Sequence, residues 1–114
     1  MTQKTRTYKD VSNFDNWTSK DFAPGAVIVD PGNSALYITG GWRSNRPIWT
    51  KENCNDCMLC WVYCPDSSIL VEDQKMIGID LDHCKGCGVC AVECRFEALE
   101  MISEPEALKA EGGN

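Results

Sequence analysis

The chain has 114 residues, a formal net charge of −6 and eight cysteines. That bounds it to one small domain, or a smaller domain with an appendage, and excludes a large catalytic apparatus. The acidic balance argues against a nucleic-acid partner. The longest uninterrupted apolar stretch, Cys57 to Cys64, is eight residues, where a membrane span needs about 20. Met1-Thr2-Gln3-Lys4-Thr5-Arg6 leads into polar residues and not into an apolar signal core, so the expected location is cytoplasmic, with no membrane partner. Thiols stay reduced there, and eight cysteines read as metal ligands before they read as disulfides.

Charge divides the chain. Residues 1–47 carry six Lys/Arg against four Asp, and residues 48–114 carry five Lys/Arg against thirteen Asp/Glu, with all eight cysteines. The expected organisation is therefore an N-terminal interface arm at 1–47, a cysteine domain at 48–102 and a C-terminal tail at 103–114. Six aromatics, Tyr8, Phe14, Trp17, Phe22, Tyr37 and Trp42, lie in the arm, yet its prolines and glycines leave it unable to bury much core by itself. Within the arm, Ala26 to Val29 and Leu36 to Thr39 read as short strands of a loose hairpin around Asp30-Pro31-Gly32-Asn33, whose Pro-Gly pair suits the centre of a type II turn.

Shifting the second half by thirty residues lays Cys54, Cys57, Cys60 and Cys64 on Cys84, Cys87, Cys90 and Cys94. Trp49 then falls on Ile79, Val62 on Val92, and Ser68-Ile69 on Ala98-Leu99, so more than cysteine spacing repeats. Each unit reads as strand, cysteine loop, helical turn, strand. Ile48 to Thr50 and Met76 to Ile79 precede the loops, Leu59 to Tyr63 and Val89 to Glu93 form the helical turns, and Ile69 to Glu72 and Leu99 to Ile102 follow. Asp73-Gln74-Lys75 closes a central hairpin. After Ile102, Ser103-Glu104-Pro105-Glu106 has the form of a capping box, and Gly112-Gly113 ends a short helix at Glu111.

Each run has the form Cys-x-x-Cys-x-x-Cys-x-x-x-Cys, and the first closes with Pro65. This resembles the iron-sulfur run of bacterial two-cluster ferredoxins, in which the fourth cysteine ligates the other cluster. The expected ligands are Cys54, Cys57, Cys60 and Cys94 for cluster I, and Cys84, Cys87, Cys90 and Cys64 for cluster II, both clusters being 4Fe-4S. Zinc fits poorly, since its paired knuckles stand typically 15 to 20 residues apart. A purely structural role for the clusters stays open, because a small cysteine domain is marginal without staples. Gly86 and Gly88 flank Cys87 where the first loop has Asp56 and Met58, so backbone N–H groups can approach the sulfurs there. Bulk from Met58, Trp61 and Tyr63 either excludes water from cluster I or fills a small core. His83 reads as a surface or hydrogen-bonding residue, and Lys85 as solvated. With Gly86, Gly88 and Lys85 leaving cluster II open, the expected electron order is cluster I and then cluster II.

The fold expected from these features is α+β, a ferredoxin-like two-cluster fold with a pseudo-twofold internal repeat, small strands and short helices, plus an extended N-terminal arm. Pro24-Gly25-Ala26-Val27-Ile28, Asp30-Pro31-Gly32 and Thr39-Gly40-Gly41-Trp42-Arg43-Ser44-Asn45-Arg46-Pro47 precede the first run. With Cys57-Met58-Leu59-Cys60-Trp61-Val62-Tyr63-Cys64-Pro65-Asp66, they make the chain resemble the delta subunit of pyruvate:ferredoxin oxidoreductase and its 2-oxo acid relatives, from about Trp17 to Ile102. Trp-Arg-x-x-Arg-Pro separates this family from free ferredoxins, and Arg95, standing where the second run usually has proline, departs from it.

The resemblance implies an electron-transfer subunit of anaerobic metabolism. Partner alpha, beta and gamma-type subunits would hold thiamine diphosphate and Mg, the 2-oxo acid and coenzyme A. This chain would pass electrons to an external ferredoxin or flavodoxin and carry no catalytic residue of its own. The alternative is an independent, mobile 2×4Fe-4S ferredoxin. Trp17, Phe22, Trp42, Arg43 and Arg46 are expected to face a partner, the arginines pairing with its carboxylates.

Overall fold

A computed structural model describes residues 15–28 and 31–112. The chain divides into two compact units, Met1–Tyr37 and Ile38–Asn114. Residues 38–47, grouped with the arm on sequence grounds, thus belong by contact with the cysteine domain.

In the first unit none of the described residues is buried. Its expected strands are replaced by 3-10 turns at Pro24–Ala26 and Asn33–Leu36. Gly25 and Ala26 have φ of 77° and 55°, left-handed values that no strand accommodates. Gly32, with φ 73° and ψ 14°, takes the left-handed conformation required at the second centre of a type II turn, but a 3-10 turn follows it instead of a strand. Val29 and Asp30 lie outside the described residues. Trp17 and Phe22 meet edge to face at 4.9 Å, and Asp21 Oδ2 accepts from the Thr18 N–H and hydroxyl at 2.7 and 2.8 Å.

Among its described residues the second unit holds two small antiparallel sheets and three α-helices. Strand β1 (Asn45–Trp49) pairs with β4 (Leu99–Ser103), Asn45 opposite Ser103 and Trp49 opposite Leu99. Strand β2 (Ile69–Glu72) pairs with β3 (Lys75–Ile79). Asp73 and Gln74 between them have φ of 49° and 63°, so both centres of the hairpin turn are left-handed, as a two-residue type I′ connection demands. Helices α1 (Leu59–Tyr63) and α2 (Val89–Glu93) are each little more than one turn. Helix α3 (Glu104–Glu111) leaves β4 directly.

Strand β1 starts at Asn45, earlier than the expected Ile48, because β4 offers partners back to Ser103. Pro47 is tolerated because β1 has a neighbour on one side only. The capping box at α3 does not close. Ser103 Oγ lies 3.4 Å from Glu106 Oε2 and caps no backbone N–H. The helix ends at Glu111 as expected, but Gly112 has φ −67°, still right-handed.

The core comprises Cys60, Ile69, Met76, Cys90 and Leu99, with Trp49, Met58, Ile79 and Ala91 packed against it. Two of its five members are cysteines, so the groups that hold the domain together are largely those of the candidate site. Ala107 of α3 is also buried, where the helix packs on β1 and β4.

Candidate iron-sulfur centre

Local backbone geometry positions the cysteines. In the first loop Asp56 and Met58 have φ of 58° and 66°, and in the second Gly86 and Gly88 have 66° and 82°. Alternating left-handed residues coil each loop, so that cysteines at intervals of three face inward. Met58 and Gly88 are also the residues from which α1 and α2 start. The third cysteine of each run, Cys60 or Cys90, is buried inside the helix, and the fourth, Cys64 or Cys94, is its extended C-terminal cap.

Beyond the caps the chain turns back at Ser67 and Glu97, with φ of 51° and 50°. This brings the Ser68 N–H to Cys64 Sγ at 3.2 Å and the Ala98 N–H to Cys94 Sγ at 3.4 Å. The turn after Cys94 therefore follows the same course as the turn after Cys64, although Arg95 stands where the first run has Pro65. Such N–H donors stabilise sulfur that carries negative charge.

All eight cysteines are free, Cys57 and Cys87 exposed, Cys60, Cys84 and Cys90 buried, and Cys54, Cys64 and Cys94 between these limits. Two cavities sort them. The first is lined by Cys54, Cys57, Cys60 and Cys94, with Trp49, Met58, Met76 and Phe96 among its walls. The second is lined by Cys84, Cys87, Cys90 and Cys64, with Pro47, Ile79, Lys85, Gly86 and Gly88. Each cavity thus draws three cysteines from one run and the fourth from the other. Among the described residues no three His, Cys, Asp or Glu side chains converge on a single-ion point; each quartet surrounds a cavity instead. A ring of four thiols with inward N–H donors and apolar walls fits the donor set of a 4Fe-4S cluster.

Burial pushes the Cys60 and Cys84 thiols up and takes Cys90 up to about 11. These thiols are neutral without metal, so iron uptake must displace their protons.

The walls differ from expectation in several places. Met58 lines the first cavity, but Trp61 and Tyr63 are exposed and do not. His83 Nδ1 lies 2.8 Å from Asp80 Oδ2. Lys85 keeps its side chain 26% exposed but is also held: its Nζ donates to His83 O at 2.6 Å and to Asp66 Oδ1 at 3.3 Å, and lies 5.8 Å from the centre of the Trp42 ring. Gly86 approaches β1 so closely that a Cβ there would lie 1.9 Å from Asn45 O. The second loop is thus pressed against β1 at Gly86.

Arg43 and Arg46 do not wait for a partner's carboxylates. Both grip Glu104, the first residue of α3, Arg43 from Nε and Nη2 at 2.9 and 3.0 Å and Arg46 from Nε at 2.8 Å and from Nη2. Arg46 also donates to Glu111 Oε1 at 2.7 Å, and Arg43 to the carbonyls of Leu81 and Cys84. The Arg46 and Arg43 hydrogen bonds hold the Glu104 carboxyl down at about 2. The clamp ties the second cysteine loop, β1 and α3 together. Sequence reading placed Glu104 only within a capping box; the available signal was Arg-x-x-Arg, two cations at and just before the start of β1 in want of an anion.

The 4Fe-4S binding domain family matches residues 77–100, which include Cys84, Cys87, Cys90 and Cys94. The chain is 50% identical over 93 residues to the pyruvate synthase subunit PorD of Thermotoga maritima, covering 82% of this chain and 94% of that one. The chain belongs to the PorD family. Related chains include the ketoisovalerate oxidoreductase subunit VorD of Pyrococcus furiosus, 36% identical over 94 residues (82% and 83% covered). Another is the delta subunit of NADH-dependent phenylglyoxylate dehydrogenase from Aromatoleum evansii, 39% identical over 74 residues (65% and 73% covered). As a PorD family member with a 4Fe-4S domain, the protein is an electron-transfer subunit of a 2-oxo acid:ferredoxin oxidoreductase. Among the described residues no helix is long and apolar enough to cross a membrane.

Proposed function

We propose that this PorD family chain carries two 4Fe-4S clusters with exchanged fourth ligands and relays electrons singly through its oxidoreductase. Cluster I would take Cys54, Cys57, Cys60 and Cys94, and cluster II would take Cys84, Cys87, Cys90 and Cys64. The observation that carries the reading is the sorting of the eight cysteines into two cavities, each completed by a cysteine of the other run. The matched φ values at Asp56 and Gly86, Met58 and Gly88, and Ser67 and Glu97 support a pseudo-twofold relation between the two loops.

A bound 4Fe-4S cluster supplies one-electron transfer. The chain's own groups ligate it, exclude water with Met58, Met76, Phe96 and Ile79, and direct the Ser68 and Ala98 N–H groups at ligand sulfurs. Thiamine diphosphate, Mg, coenzyme A and the 2-oxo acid belong in this reading to alpha, beta and gamma-type partners, and external ferredoxin or flavodoxin receives the electrons. Pyruvate is the preferred substrate of the assembly, on the strength of the T. maritima relative's name and coverage, and the cytoplasm its location. The unburied first unit, with Phe22 and Tyr37 exposed, favours a subunit that covers these residues over a free carrier.

Iron and acid-labile sulfide determinations on the purified chain test the proposal. About eight of each per chain are expected from two cubes, and four of each would end the two-cluster reading.

A further inference from the structure

Trp49 closes β1 opposite Leu99 and lines the first cavity together with Cys54, Cys57, Cys60 and Cys94. Its indole Nε1 is buried and has no hydrogen-bond partner among the described residues. An indole N–H can only donate. Leaving it unmet in a protein interior is costly, and a buried orphan of this kind calls for an acceptor supplied from outside the polypeptide. Two other polar groups of the same wall are already committed. Asp56 Oδ1 accepts the Met76 N–H at 3.0 Å, and the Ala98 N–H goes to Cys94 Sγ at 3.4 Å.

We infer that the Trp49 indole N–H donates a hydrogen bond to a sulfur of the cluster in the first cavity and raises that cluster's reduction potential. The inference rests on the two-cluster reading above. The added electron makes a cluster's sulfurs better acceptors, so a donor fixed in a dry wall favours the reduced state. The second cavity lacks the equivalent group. Ile79, which lies thirty residues after Trp49 and lines the second cavity, has no side-chain donor. Trp49 therefore sets the two clusters apart in potential by acting on one only.

The test is a redox titration, followed by electron paramagnetic resonance, of the assembled enzyme carrying Trp49→Phe. Iron content should be unchanged. One cluster of this chain should become harder to reduce by up to about tenfold in its equilibrium constant, which is about 59 mV for one electron, while the other stays where it was. Full iron with both potentials unmoved would overturn the inference. A second measurement keeps the question decidable if Trp49→Phe fails to load. In a full-length chain whose tryptophans other than Trp49 are replaced by Phe, with 15N in the indole, the reduced first-cavity cluster should show a hyperfine coupling to 15N. Absence of that coupling with both clusters present refutes the hydrogen bond. An unsubstituted chain that binds a single cluster would count against the two-cluster reading instead.

Discussion

Arg46 of β1 and Glu104, the first residue of α3, meet through two parallel hydrogen bonds, with the Arg46 side chain 4% exposed and that of Glu104 19% exposed. A guanidinium so enclosed needs its anion. Glu104→Gln should lower the unfolding free energy of the iron-loaded chain by about 3 kcal/mol, because it removes the carboxylate that the enclosed Arg43 and Arg46 guanidiniums share, and the exposed Glu111 offsets little of that charge. Glu111→Gln, at a side chain 59% exposed, should cost less than about 1 kcal/mol. Equilibrium denaturation of the two variants checks the ranking, and equal losses would refute it.

The same carboxylate sets a pH dependence. Its pKa in the folded chain lies at about 2, against 4.5 for an unperturbed Glu. A lowered folded value means that the unfolded chain takes up the proton first, so the stabilisation is fully present above 4.5 and falls as pH drops from there toward 2. The stability difference between the unsubstituted chain and Glu104→Gln should thus be flat from pH 7 to about 5.5 and narrow below 4.5. A difference that widens on acidification would contradict the assignment.

Gly86 and Gly88 both have left-handed φ, but only Gly86 sits against backbone, with a hypothetical Cβ 1.9 Å from Asn45 O against 3.9 Å to the flexible Met101 side chain for Gly88. Gly88→Ala should cost the conformational term alone, about 1–2 kcal/mol. Gly86→Ala must also part β1 from the second loop, and should lose more stability together with iron from the second cavity. Iron analysis and thermal unfolding of both variants decide this.

The proposed exchange of the fourth ligands predicts that Cys64→Ala damages the second-cavity cluster and Cys94→Ala the first. Spectroscopic titration of each variant distinguishes the clusters, and loss of the same-run cluster would refute the assignment.

Truncation separates the two units. Deleting residues 1–37 should leave a chain that takes up iron normally but no longer joins its partner subunits. Deleting residues 1–46 also removes Arg43, Arg46 and the start of β1, so iron uptake itself should suffer. Equal behaviour of the two truncations in iron binding would show that the Glu104 clamp is dispensable.

The parts legible in the sequence were those with local causes. The bounds of α1, α2 and β2 follow from the cysteine spacing and from short apolar runs, and Asp73-Gln74 marks its hairpin. Elements that depend on distant neighbours were not legible. Asn45 and Arg46 join a strand because Ser103 and Ile102 lie opposite, and no local preference at Asn45-Arg46-Pro47 announces that. In the arm the error ran the other way: apolar residues at Val27, Ile28 and Leu36 suggested strands, while Gly25, Ala26 and Gly32 took left-handed conformations and no pairing followed. In the candidate site the cysteines that line each cavity are those that the resemblance to two-cluster ferredoxins groups together, whereas the orphan N–H of Trp49 and the contact of Gly86 with β1 depend on tertiary packing.

Because each cavity draws on both runs, neither can be furnished while the first run alone has left the ribosome. Chain growth proceeds from the N-terminus, so Cys54, Cys57, Cys60 and Cys64 emerge as an incomplete set, three thiols facing one space and the fourth facing another. The second cavity acquires its last cysteine at Cys90 and the first at Cys94, so the two reach readiness almost together, and late. Until then the nascent chain exposes soft, oxidisable sulfur with nothing to hold, and whatever delivers iron and sulfide must act on a segment that already spans both loops.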